Sequence, residues 1–193
     1  MKNFEENETD VEKILIPQER LQQRISELGR EISQAYERKD LAVVAILKGS
    51  FIFAADLLRA IQGIVTIDFM AISSYGGEAG SGVVRITKDL EESIAGRHVL
   101  LVEDIIDTGL TANYLVRVLK QHSPATLEIC ALLDKSVRRL IDLPITYRGF
   151  EVPDVFVVGY GMDYQQRYRN LPHIAVLRGG DSSAWTGSSS ESV

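Results

Sequence analysis

His98-Val99-Leu100-Leu101-Val102-Glu103-Asp104-Ile105-Ile106-Asp107-Thr108-Gly109-Leu110-Thr111 reads as a buried strand over 98–102 that runs into two adjacent carboxylates, a third carboxylate, a Thr-Gly turn and a helix start. Backbone N–H groups at a turn and a helix N-terminus lack partners, so they bind a phosphate monoester well. Gly109 lets the backbone approach such an anion, and Thr108 and Thr111 add hydroxyl donors. Carboxylates repel phosphate, so Glu103 and Asp104 need sugar hydroxyls or a hard cation that takes oxygen ligands. Together these features describe a site for a sugar phosphate. A blander account makes Asp107 a helix cap and the acidic pair a solvated loop start. It leaves unexplained three acidic residues within five positions directly after a buried strand. Such clustered charge is costly without a ligand.

Outward from this stretch, strands and helices alternate. Residues 17 to about 38 form a predicted helix, with Leu21, Ile25, Leu28, Ile32 and Tyr36 on one face and Pro17 in its first turn. The unbroken apolar run 41–47 predicts a strand covered on both faces, ending at Lys48-Gly49-Ser50. A helix follows from 51 to about 61, then strand-like runs at 64–73, 127–133 and 155–158. Residues 111–121 are helical, with Ala112, Leu115, Val116 and Leu119 on one side and Pro124 beyond the end. A short strand at 83–87 pairs with the end of 64–73 as a hairpin arm. The alternation predicts an α/β fold with a parallel sheet and helices on both faces. Ligands of such sheets sit outside the carboxyl ends of the strands.

Residues 11–178 read as one domain, with 1–10 and the Gly- and Ser-rich 179–193 as loose tails. The net charge of −6 argues against a nucleic-acid partner. The single cysteine, Cys130, lies in the apolar run Ile129-Cys130-Ala131-Leu132-Leu133 and reads as a core residue. A lone cysteine forms no intramolecular disulfide, which suits a reducing compartment. The polar, acidic start MKNFEENETD is no signal peptide. No apolar run reaches the roughly 20 residues that span a bilayer. A cytoplasmic location without membrane contact is expected. His98, His122 and His173 have no metal-ligand spacing and receive no role.

The stretch Val99 to Thr111 closely resembles the phosphoribosyl pyrophosphate motif of the phosphoribosyltransferases, and its double Ile resembles the hypoxanthine-guanine branch. The similarity extends from Leu47-Lys48-Gly49 to Arg169. It implies a type I fold: a parallel twisted sheet with flanking helices plus a small hood. It also implies that Glu103 and Asp104 engage the ribose hydroxyls and magnesium, and that Asp107 is the general base near purine N7. The binding stretch comprises Ile106, Asp107, Thr108, Gly109, Leu110 and Thr111, of which 107–111 hold the 5′-phosphate. Leu110 departs from relatives that carry a basic residue there, a change that a backbone cradle should tolerate.

Other segments read blandly alone and more sharply beside the resemblance. Lys48-Gly49 is an ordinary strand-to-helix turn, or a pyrophosphate loop whose cis peptide turns an N–H toward the ligand. The glycine-dense Ser74-Tyr75-Gly76-Gly77-Glu78-Ala79-Gly80-Ser81-Gly82 is a hairpin tip. The resemblance makes it a lid, with Ser74 and Tyr75 closing over pyrophosphate to exclude water. Lys135 follows a strand end, where the resemblance aims its ammonium at the exocyclic oxygen of the purine. Arg138 and Arg139 are expected to be solvated. An aromatic in a strand is normally core, yet the resemblance implies that Phe156 stacks on the purine. It also implies that the Val157 backbone reads the base edge, that Asp163 contacts the base or a second magnesium, and that Arg169 pairs with pyrophosphate.

The implied reaction is purine salvage: attack of purine N9 at the anomeric carbon of phosphoribosyl pyrophosphate, giving IMP or GMP and pyrophosphate. A rival from another class is a nucleic-acid-binding regulator on the same fold with phosphoribosyl pyrophosphate as effector. It should carry a basic face, which the acidic balance disfavours. Enzymes for xanthine, orotate or uracil are disfavoured by the set Lys135, Phe156 and Asp163. Family resemblance suggests a homodimer or homotetramer.

Overall fold

The computed structural model describes residues 11–75 and 83–178, the side chains of Ser74, Tyr75 and Val83 excepted. The anticipated tails and the loop tip at 76–82 lie outside the described residues. In chain order the elements are β1 (Val11–Ile16), α1 (Gln18–Ala35), β2 (Leu41–Leu47), α2 (Phe51–Ala60), β3 (Val65–Tyr75) and β4 (Val83–Lys88). They continue with β5 (His98–Ile106), α3 (Leu110–Gln121), β6 (Thr126–Asp134), β7 (Tyr147–Glu151), β8 (Val157–Val158) and β9 (Ile174–Leu177). A 3-10 turn at Ser136–Arg138 follows β6.

Six strands form the main sheet in the order β4-β3-β2-β5-β6-β7. All neighbours in it are parallel except β3 and β4, which pair antiparallel as the anticipated hairpin arm. The continuous apolar strands work because both faces are covered. Val43, Ala45, Leu100, Val102, Cys130 and Leu132 face Leu21, Ile25, Leu28 and Ile32 of α1 and Phe53 and Leu57 of α2. The alternate residues Ala42, Val44, Ile46, Val99, Leu101, Ile129 and Ala131 face Ala112, Leu115 and Leu119 of α3. The two-residue strand period thus feeds two separate cores. Truncating one such residue, Leu100→Ala for example, would cost about 2–5 kcal/mol. Cys130 is buried and free, and burial pushes its thiol far above the ordinary range. Among the described residues no helix is long and apolar enough to cross a membrane.

A second sheet, β1-β9-β8, is antiparallel and forms the small hood. Ile16, Val157, Tyr160, Met162 and Ile174 of this region join the α1–α2 core.

Four sequence expectations need correction. The first helix starts at Gln18, with Pro17 as its extended N-cap, and ends at Ala35, because Arg38 takes a left-handed backbone beyond it. The central strand does not stop at Val102: β5 continues to Ile106, pairing Glu103 with Ala131 and Ile106 with Asp134. Glu103 and Asp104 are therefore strand residues rather than the start of a loop. The run 155–158 contributes only Val157 and Val158 as strand, and these pair with β9 in the hood rather than joining the parallel sheet. Finally, β1, β7 and β9 went unrecognised. They are short, and β1 finds its partner far along the chain at β9.

Candidate active site

Parallel pairing of β2, β5 and β6 brings Lys48-Gly49, Glu103 to Asp107 and Lys135 to the same carboxyl edge of the sheet. Two charge clusters form there.

The first cluster gathers around Asp104. Gly49 lies so close that a Cβ on it would sit 1.7 Å from Asp104 Oδ2, so any side chain there would displace this carboxylate. A Cβ on Gly161 would in turn lie 2.1 Å from the Gly49 carbonyl oxygen, which brings the hood segment onto the same spot. Arg169 Nη1 donates to the Gly161 carbonyl at 2.7 Å, and Arg169 Nη2 pairs with Asp163 Oδ1 at 2.7 Å. The Gln166 N–H donates to the other Asp163 oxygen. Lys48 is exposed. The non-proline cis peptide is Leu47–Lys48, one bond earlier than the Lys48–Gly49 peptide anticipated.

Glu103 is 6% exposed, and burial raises its carboxyl well above the usual carboxylate range, with the Asp104 charge adding to this. Burial also pushes Asp104 up to about 6, against the pull of the Asp104 and Ile105 backbone N–H groups and the Arg169 charge. Among the described residues neither carboxylate has a cation within ion-pair distance. Buried oxygens in need of positive charge fit a hard cation. No three His, Cys, Asp or Glu groups among the described residues converge on a common point. Such a cation would therefore take the rest of its oxygens from water or a phosphorylated ligand, the habit of magnesium.

The second cluster gathers around Asp107. The segment after β6 lies along the β5 end: Lys135 N–H donates to the Ile106 carbonyl and Leu140 N–H to the Thr108 carbonyl, both at 2.9 Å. Arg138 Nε then lies 3.0 Å from Asp107 Oδ1, while its Nη1 lies 3.2 Å from Asp154 Oδ1. The Asp107 contact is ionic without hydrogen-bond alignment, so this buried oxygen has no donor among the described residues. Lys135 is 5% exposed and its Nζ is 3.8 Å from the same Asp154 oxygen. Burial lowers the Lys135 titration, opposed by the charges of Asp107 and Asp154 and assisted by Arg138.

Arg138 and Arg139 are therefore not solvated as anticipated. Arg139 ion-pairs with the buried Asp134, which also pairs with Arg148 at 3.0 Å. The buried Asp134 at the β6 end draws Arg139 inward, and Asp107 and Asp154 draw Arg138. Asp154 and Arg138 were missed as members of the site, since no sequence spacing ties them to Asp107. The only signal was a run of charge beside Lys135.

Asp107 does not cap α3. The N-cap is Gly109, whose φ of +84° is a left-handed turn that favours glycine, and no side chain caps this helix. The Leu110 N–H donates to Thr108 Oγ1 at 3.4 Å, and the N–H groups that follow in the first turn of α3 have no partner within the helix. Leu110 is exposed there. Phe156 is buried in the hood, edge-on to Tyr164 at 5.6 Å between ring centroids, and Val157 pairs with Val176. Ser74 and Tyr75 close β3 opposite Val84 and Val83.

Comparison with known proteins agrees with this layout. Residues 13–165 match the model of the phosphoribosyl transferase domain. A hypoxanthine-guanine phosphoribosyltransferase of Bacillus subtilis is 46% identical over 170 residues, 88% of this chain and 94% of that protein. A hypoxanthine phosphoribosyltransferase of Haemophilus influenzae is 51% identical over 165 residues, 83% of this chain and 92% of that protein. Among solved structures, a Bacillus anthracis hypoxanthine-guanine phosphoribosyltransferase superposes with TM-score 0.83 at 47% identity, covering 86% of this chain and 98% of its own. A Staphylococcus aureus hypoxanthine phosphoribosyltransferase gives 0.85 at 41% identity, covering 97% of this chain and 100% of its own. The strand end, the glycine turn and helix that follow it, and these matches along the same residues place the chain in the phosphoribosyltransferase family.

Proposed function

We propose that the protein transfers the 5-phosphoribosyl group from phosphoribosyl pyrophosphate to hypoxanthine, and to guanine, releasing IMP or GMP and pyrophosphate. The observation that carries this reading is the contrast between the two clusters. Among the described residues the buried Glu103 and half-buried Asp104 have no cation at ion-pair distance, whereas Asp107, Asp154, Lys135 and Arg138 neutralise one another. The first suits a magnesium-bound sugar pyrophosphate, the second a neutral, polar purine. The names of relatives at 46% and 51% identity support the same substrate. The regulator reading finds no support among them.

Glu103 and Asp104 would hold the ribose hydroxyls and magnesium, and Asp163 would offer a further oxygen. When bound, magnesium supplies charge neutralisation on the pyrophosphate leaving group. Arg169 contributes its guanidinium to that charge, with the backbone at Lys48 and Gly49 alongside. The N–H groups and hydroxyls from Thr108 to Thr111 bind the 5′-phosphate. Lys135 donates to the 6-oxygen, Phe156 packs on the ring, the Val157 backbone reads its edge, and Ser74 and Tyr75 close the site against water. Purine N9 forms the new bond to the anomeric carbon, and pyrophosphate leaves with the electron pair of the broken bond. The N7 proton passes to Asp107. A cytoplasmic enzyme assembled as a homodimer or homotetramer fits this family.

The test is nucleotide formation from phosphoribosyl pyrophosphate and a panel of bases, followed at the purine absorbance with and without magnesium. Magnesium-dependent turnover of hypoxanthine and guanine, well above xanthine, adenine, uracil and orotate, is expected. Turnover confined to a pyrimidine, or none at all, would overturn the reading.

A further inference from the structure

Lys135 faces two carboxylates, Asp107 and Asp154, and one like charge, Arg138. It is almost wholly buried, so its charged form depends on those neighbours. The two carboxylates are not equivalent during the proposed reaction. At rest the four groups sum to zero: two cations and two anions. When the purine N7–H bond breaks and the proton moves to Asp107, that carboxylate becomes neutral and stops supporting the Lys135 charge. Asp154 is then the anion left beside the ammonium. It lies 3.8 Å from Lys135 Nζ, and Arg138 Nη1 reaches the same Asp154 oxygen at 3.2 Å.

Resting on the function proposed above, we infer that Asp154 is a positioning residue for base recognition: braced by Arg138, it holds the Lys135 ammonium in place and supplies its counter-charge after Asp107 has taken the proton. The role assigned to Asp154 runs through its contact with Lys135. The Asp154 side chain is 40% exposed. Solvent screening therefore limits its strength, and a moderate effect is expected rather than loss of activity.

The experiment pairs Asp154→Asn and the conservative Asp154→Glu with two readouts. The first needs no turnover: the Lys135 ammonium is titrated in the unliganded protein by NMR of its labelled ε-carbon. Asp154→Asn should move that titration to lower pH, and Asp154→Glu should bring it back. The second is steady-state kinetics. Asp154→Asn should raise KM for hypoxanthine about tenfold, change KM for phosphoribosyl pyrophosphate by less than about twofold, and move the alkaline limb of kcat/KM for the base to lower pH. An unmoved Lys135 titration would overturn the inference. So would equal rises in both KM values without rescue by glutamate, the pattern of a merely structural residue. A wild-type protein that makes no nucleotide from any 6-oxopurine while the Lys135 titration still moves would sink the proposed function but leave the ion pair standing.

Discussion

Glu103, buried, and Asp104, half-buried, have no cation in ion-pair reach among the described residues, whereas a few positions along the same strand end Asp107 shares Arg138 with Asp154, which also pairs with Lys135. One cluster depends on positive charge from outside the chain; the other carries its own. The contrast has a local cause. Glu103 and Asp104 belong to β5, beside Gly49 and the core, where among the described residues no lysine or arginine comes within ion-pair distance and Arg169 acts on Asp104 only through its field. Asp107 sits one step past the strand, where the irregular segment after β6 folds back and delivers Arg138 and Lys135. Two carboxylate environments on one edge thus suit two kinds of ligand, a metal-bound polyanion and an uncharged base.

The largest expected break in this contrast comes from Lys135→Met. An ammonium has donors only, so it suits the 6-oxygen of hypoxanthine and opposes the 6-amino group of adenine. A site built around such a hydrogen bond rejects the wrong analogue by up to about 10⁴-fold. The ratio of kcat/KM for hypoxanthine to that for adenine should collapse in the variant. An unchanged ratio would move discrimination elsewhere, to backbone groups near Val157.

Next in size is Asp107→Asn. It keeps the shape and removes the proton acceptor, so kcat should fall by about 10²-fold or more, the usual share of acid–base catalysis. IMP binding, measured at equilibrium, should survive. Near-normal turnover would remove Asp107 from the role.

A smaller effect sharpens the other cluster through stability alone. Asp104 titrates near 6 in the fold against 3.8 in the open chain. A carboxyl raised on folding favours the folded state below its ordinary value, and that contribution is lost as pH rises through about 6. Asp104→Asn mimics the neutral acid at every pH. It should therefore melt several degrees above the wild type at pH 7.5 without metal, and the gap should close as pH falls from about 6 toward 4. A gap that is constant with pH would mean that Asp104 carries no such penalty.

The parts of this molecule that were legible in its sequence have a common feature: their partners are local or follow from a repeating period. β2 reads as a doubly covered strand because no polar residue interrupts residues 41–47, and α3 reads as a helix because Ala112, Leu115 and Leu119 recur on one face. The carboxylates of the β5 end stood out because charge rarely follows such a strand so densely. The hood did not stand out, because β1 pairs with β9 across most of the chain and β8 has only two residues. Arg138 and Asp154 were illegible for a different reason. The direction of a side chain leaving a 3-10 turn depends on the carboxylates it meets, and those come from other segments.

The claim that one cluster awaits an external cation while the other does not is tested most directly by titrating magnesium against initial rate at saturating hypoxanthine. The wild type is compared with the double variant Glu103→Gln, Asp104→Asn. The magnesium curve of the variant should shift to higher concentration and phosphoribosyl pyrophosphate should bind more weakly, while KM for hypoxanthine stays near its wild-type value. A magnesium curve that superposes on the wild type would contradict the claim, because it would make Glu103 and Asp104 bystanders in the site they line.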